Sequence, residues 1–182
     1  MNQLLLYVQN KYHYSNYQIA QLKFLFKTIF SEISKILLMG ILFFHHLDLY
    51  LFALLVMLCL RCCTGGFHFY TYWRCLAASV LFLAFPVMVL PQFFIPLLLR
   101  MLLLTTCLLG CYVMGPVPSK YRPMPTSKTK KGCRIMAGGC IILYSFLIYI
   151  FPENPLCNAG FWIIILHTLQ LIAAKVKRKE AV

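Results

Sequence analysis

Hydrophobic and polar positions in this 182-residue chain alternate as long apolar runs and short polar breaks. The first 14 residues mix Leu4, Leu5, Leu6, Tyr7 and Val8 with Gln3, Gln9, Asn10 and Lys11, the pattern of a short amphipathic segment lying on a membrane surface. From Ser15 to Lys35, Ile19, Leu22, Phe26, Ile29, Phe30 and Ile33 recur at spacings of three and four, which predicts an amphipathic helix with Lys23, Lys27, Glu32 and Lys35 as its charges. Six apolar segments follow, at 34–46, 49–60, 76–90, 93–114, 135–151 and 158–174. The first two are shorter than the ~20 residues that cross a bilayer. The first gains length if the amphipathic helix runs into it. The breaks fall at His45-His46-Leu47-Asp48, at Pro91, at the loop holding Pro116, Pro118, Pro123 and Pro125, and at Pro152 and Pro155.

Composition makes these runs membrane spans. The chain is 62% hydrophobic and 12% charged, with a mean hydropathy of +0.80, whereas a soluble domain carries about 25% charged residues. The expectation is an all-α integral membrane protein of about six transmembrane helices forming one domain over 1–182. Within it, 1–33 would be the amphipathic region, 34–174 the six-span core and 175–182 a basic tail. Met1-Asn2-Gln3 provides no basic start and no small-residue cleavage site follows, so a cleaved signal peptide is not expected.

The net charge of +13 orients the chain. With a cytoplasmic N-terminus and six crossings, every one of the 17 Lys and Arg residues except Arg100 falls inside, while Asp48 and Glu153 fall outside. Both termini are then cytoplasmic in the cell membrane. The same charge suits anionic lipid headgroups or an acidic partner. Nucleic acid is not expected, since the basic residues flank apolar spans and leave no separate reader domain. Arg100 lies within the fourth segment, where it either faces a polar interior or snorkels outward. Most of the nine cysteines sit in apolar stretches, as Cys59, Cys107, Cys111 and Cys140 do, and read as small buried hydrophobes.

Chemistry concentrates between the second and third spans, in the stretch from Arg61 to Cys75 that contains Gly65, Gly66 and His68. Cysteine and histidine can act as nucleophile and base. Seven residues apart on one straight helix, His68 and Cys75 would be about 10 Å apart along the axis, too far for a hydrogen bond. A working pair therefore needs a bent or re-entrant loop. Gly65-Gly66 permits one, and Thr71 is a plausible N-cap for a helix carrying Cys75 in its first turn. There the positive end of the helix dipole, with Arg74 and Arg61, would fall on the sulfur. The alternatives are a hydrogen-bonded interfacial histidine with a packing cysteine, or a metal site drawing on Cys59, Cys62, Cys63, His68 and Cys75. Against metal, Cys59-x-x-Cys62 contains Arg61 and no second spaced pair follows. No metal or other cofactor is expected.

Two motifs carry a resemblance. Arg61-x-x-x-Gly65-Gly66-x-His68 followed by Cys75, and Gly115-Pro116-Val117-Pro118-Ser119-Lys120-Tyr121-Arg122-Pro123-Met124 after the fourth span, resemble the accessory gene regulator protein B family of membrane cysteine endopeptidases. The likeness extends over nearly the whole chain. It implies a peptidase acting on a short pro-peptide with an amphipathic leader, a signal-forming core and an acidic tail. Cys75 would attack the core–tail junction with His68 as base, and the core would close from a Cys75 thioester to a thiolactone or lactone used in quorum sensing. It also implies a homodimer. Arg61, Gly65 and Gly66 would support the site. Phe67, Phe69, Tyr70, Tyr72 and Trp73 would exclude water from it or form an interfacial belt. Lys120, Arg122, Lys128, Lys130 and Lys131 would hold the acidic tail.

Two points depart from the family pattern. No acid obviously orients His68: Asp48 falls on the far side, and Glu32 or Gln21 would need its helix beside the site. Cys62 and Cys63 flank the motif as competing nucleophiles, and spacing favours Cys75. A non-enzymatic transporter subunit or scaffold is the competing reading, in which Arg100 and the prolines line a path. Such a protein has no need of the His68 and Cys75 pair.

Overall fold

A computed structural model describes residues 16–65, 71–117 and 127–180. Among them the regular structure is helical, as the apolar runs predict, and the described residues form two compact units divided between Leu42 and Phe43.

The first unit is helix α1 (Asn16–Leu42). Its amphipathic stretch continues without interruption through the first expected span, because no proline breaks it. The 34–46 segment is therefore the end of a longer helix followed by a short 3-10 turn at Phe44–His46. Glu32 bonds Lys35 one turn on, Nζ to Oε1 at 2.6 Å.

The second unit contains α2 (Leu47–Thr64), α3 (Tyr72–Ala84), α4 (Leu97–Met114), α5 (Ser127–Ile150) and α6 (Pro155–Glu180). Among the described residues, five stretches are long and apolar enough to cross a membrane: Phe44–Thr64, Tyr72–Gln92, Leu97–Met114, Ser127–Ile150 and Pro155–Val176. Several boundaries differ from the apolar runs. Helix α5 begins at Ser127 rather than 135, and α6 runs on through Lys175, because hydropathy marks the part of a helix that sits in lipid and not where its hydrogen bonds begin. Lysine and arginine are good helix formers.

Helix α6 is the centre of the second unit. It packs against α2 and α4, and α4 also packs on α5. In its apolar window 56% is buried inside the protein, against 22% for the windows of α3, α4 and α5, so those three present most of their surface to lipid. Leu98 and Leu143 are among the side chains so exposed. Leu60, Leu104, Ile141, Ile148, Phe161, Ile164 and Leu171 form the shared core. Gly160 lets α5 approach closely: a Cβ there would collide with the Tyr144 hydroxyl, which donates to the Cys157 carbonyl at 2.6 Å.

The bundle end away from Thr64 contains an irregular stretch. After α3 the chain makes a π-helical turn at Phe85–Val89 and a 3-10 turn at Leu90–Gln92, with Pro86 and Pro91 withholding backbone donors. Carbonyls freed this way are costly beside lipid unless paired. Two buried side chains pair them. The Asn158 amide donates to Pro91 at 2.9 Å and to Phe93 at 3.2 Å. Arg100, 3% exposed, donates from Nε to Ile95 and from Nη1 to Pro152, both at 2.7 Å, with its guanidinium 5.5 Å from the Phe94 ring centre. Of the two orientations open to Arg100 from the sequence, the inward one is found.

Arg100→Leu should strand the Ile95 and Pro152 carbonyls. At about 1–3 kcal/mol for each buried group left unpaired, the unfolding midpoint in detergent should fall clearly, whereas Leu98→Ala on the lipid-facing side should leave it nearly unchanged.

Candidate active site

The motif arginine and glycine lie at the end of α2, and their geometry depends on Thr64. The Thr64 hydroxyl donates to the Leu60 carbonyl at 2.8 Å and lies 2.7 Å from His167 Nε2 on α6. A hydroxyl has one proton to give, so its oxygen accepts from His167, which assigns the proton to Nε2. Both residues are buried, His167 completely. The Thr64 carbonyl accepts from the Val117 N–H at 2.9 Å.

Gly65 then ends the helix. Its N–H closes the last turn on the Arg61 carbonyl at 3.0 Å, and its φ of +77° is a conformation that only glycine adopts without strain. Gly65 and Val117 form an isolated parallel bridge, so close that a Cβ on Gly65 would collide with the Val117 carbonyl. The two polar motifs, far apart in sequence, thus meet through their backbones. Beside them Arg134 donates from Nε to the Gly115 carbonyl at 2.8 Å and lies 5.6 Å from the Tyr112 ring centre.

Helix α3 starts afresh after Thr71, whose backbone is extended at φ −97° and ψ 139°. Thr71 occupies the N-cap position, but its side chain makes no capping bond. The Cys75 N–H makes a turn-closing bond to the Thr71 carbonyl at 3.1 Å. Cys75 therefore sits in the first turn, at the positive end of the dipole, and α2 and α3 are not one straight helix.

A small cleft opens between three helices at this level. Helix α2 contributes Met57 and Arg61; α3 contributes Cys75, Ala78, Ser79 and Phe82; α6 contributes Gln170. Neither Cys62 nor Cys63 lines it. Cys63 is buried and Cys62 is exposed elsewhere on α2, and no disulfide links any of the nine cysteines.

The sequence pattern of the accessory gene regulator B family matches residues 1–171. The chain belongs to that family. It is also similar to an AgrB-like protein of Clostridium beijerinckii, 26% identical over 184 residues that span 95% of this chain and 86% of that one. No solved structure matches it. Membership of the accessory gene regulator B family carries the quorum-sensing accessory gene regulator role.

Of the family-motif residues, Arg61 and Cys75 share the cleft, and Gly65 shapes the turn above it. Gly66, His68, Lys120 and Arg122 lie outside the described residues. Lys128, Lys130 and Lys131 occupy the first turns of α5, with Lys128 and Lys131 exposed. As for a residue to orient His68, Glu32 is bonded to Lys35. Asp48 is in the first turn of α2, sixteen residues from Thr64, or ~24 Å along the helix.

Sequence reasoning missed Thr64, His167 and Gln170. The signal was present: His167, Thr168 and Gln170 are polar residues clustered in the last apolar run, and polar groups inside a span face the protein interior.

Gly65→Ala should put a Cβ on a backbone conformation, φ 77° and ψ −148°, that is essentially open to glycine alone, costing roughly 1–3 kcal/mol, and should also push Val117 away. Gly132→Ala on α5 meets nothing within 4 Å and should be neutral or stabilising. Thermal unfolding of the two variants in detergent should separate them, with only Gly65→Ala losing stability.

Proposed function

We propose that this protein is a membrane cysteine endopeptidase. It removes the acidic C-terminal tail of a quorum-sensing pro-peptide and promotes closure of the remaining core to a thiolactone or lactone. The observation that supports this most is the cleft in which Cys75 at the start of α3 meets Arg61 of the family motif, in a chain matching accessory gene regulator B over residues 1–171.

The chemistry is acyl transfer. His68 takes the Cys75 proton, and sulfur attacks the carbonyl carbon at the core–tail junction. The C–N bond then breaks as His68 returns the proton to the departing amine. The core remains as a thioester. A thiol or hydroxyl within the core attacks that carbonyl, a new C–S or C–O bond forms, and Cys75 leaves as thiolate to regain a proton. Thioester exchange needs no external energy source. Met57, Ala78 and Phe82 give the cleft an apolar lining, which favours ring closure over hydrolysis by limiting water.

In this reading the Thr64 end of the second unit faces the cytoplasm, as do both termini. Arg61, Arg74, Lys128, Lys130, Lys131 and Arg134 gather at that end, while Asp48 and Glu153 lie toward the other, in keeping with the positive-inside rule. The α5 lysines lie at the positive end of that helix's dipole. Among the described residues none of the three is ion-paired. An acidic tail is drawn to them, and anionic lipid competes.

Cys75→Ala should abolish tail removal from a co-expressed acidic-tailed pro-peptide, while Cys63→Ala should process it at a near-normal rate. Persistent cleavage in the Cys75 variant would sink the mechanism. Replacing Lys128, Lys130 and Lys131 together with Gln should raise KM about tenfold with little change in kcat. Three surface charge contacts at about 0.2–1 kcal/mol each give roughly that factor. High salt should erase the difference.

A further inference from the structure

Attack of a thiol on a carbonyl drives negative charge onto the carbonyl oxygen, and hydrogen-bond donors aimed at that oxygen usually supply the largest stabilisation. A nucleophile's own backbone N–H is one common source. Here it is occupied, since the Cys75 N–H is bonded to the Thr71 carbonyl at 3.1 Å. The amides of Tyr72, Trp73 and Arg74 precede the first turn-closing bond and point back along the axis. The cleft runs the opposite way. Cys75, Ala78, Ser79 and Phe82 are spaced by three, four and seven, one stripe leading from the sulfur toward the carboxyl end of α3.

Among the described residues the donor is therefore a side chain. Ser79 lies on the same wall as the sulfur, one turn further along. The facing walls contribute Arg61 and Gln170. Arg61 has interactions of its own and adds positive charge to the cleft. Gln170 makes no hydrogen bond among the described residues and is half-buried, so its amide protons are available to a guest. Its position is also fixed. It sits one turn beyond His167, whose Nε2–H is bonded to Thr64 at 2.7 Å, and that bond sets the register of α6 against α2.

We infer that Gln170 is a catalytic residue of the Cys75 site, donating from its side-chain amide to the carbonyl oxygen of the acyl group under attack. This rests on the peptidase reading of Cys75. Gln170 keeps its protons throughout: the S–C bond forms, the C–N bond breaks, and the amide only hydrogen-bonds the oxygen as charge arrives and leaves. The same donor serves again when the core attacks the thioester, so a single residue lowers both barriers.

The test uses two reagents on full-length protein in detergent, read by peptide mapping at Cys75. p-Nitrophenyl hexanoate acylates a thiol through an oxyanion, and iodoacetamide alkylates it without one. Gln170→Ala and the isosteric Gln170→Met should slow Cys75 acylation about a hundredfold and leave alkylation unchanged. A similar fall in both reactions would assign Gln170 a merely structural role and overturn the proposal, as would unchanged acylation. If the wild-type Cys75 reacts with neither reagent, the peptidase reading falls and this inference falls with it.

Discussion

The second unit depends on how one helix end is closed. Thr64 uses every polar group it has: its hydroxyl joins α2 to α6 through His167, and its carbonyl takes the Val117 amide. These groups are buried where water cannot replace a lost partner, so each bond matters more than its modest net value in solution suggests. Beyond Thr64 the chain must leave the helix sharply, and Gly65 does so with a backbone that no other residue adopts without strain. The cleft forms at the level of this junction, between the helices that Thr64 and His167 tie together.

The two ends of the bundle solve opposite problems. At the Thr64 end, motif backbones pair with each other and basic residues gather outside. At the far end, prolines interrupt the chain between α3 and α4, and the freed carbonyls are met by side chains brought from elsewhere, Asn158 from α6 and Arg100 from α4. That end needs an arginine for structure where a transporter reading would have placed it along a path. An Arg100 bonded to two carbonyls and stacked on Phe94 is a poor candidate for a moving ion partner.

Much of this was legible in the sequence, for reasons that differ between residues. The apolar runs revealed the spans because lipid demands apolar surface, yet they misplaced the start of α5, because Lys128 to Arg134 are helical without being membrane-embedded. Glycine at 65 pointed to a broken helix because of the backbone it permits, and α2 does end there. His167 and Gln170 were not read as site residues. A residue's partners across the bundle depend on helix packing and register, and no local pattern encodes that one polar face of α6 meets the end of α2. Of the candidates for orienting His68, Glu32 shows the same limit, with its own lysine one turn away, whereas the charge pattern alone had already set Asp48 on the far side.

The bridge between Gly65 and Val117 has a consequence for both motifs. The chain leading from Gly65 toward Cys75 and the chain leading from Val117 toward the α5 lysines set out from one shared point. Cys75 and the α5 lysines are therefore both tied, along the chain, to one backbone junction. A change that opens this junction, at Gly65 or at Val117, disturbs the anchorage of both segments at once.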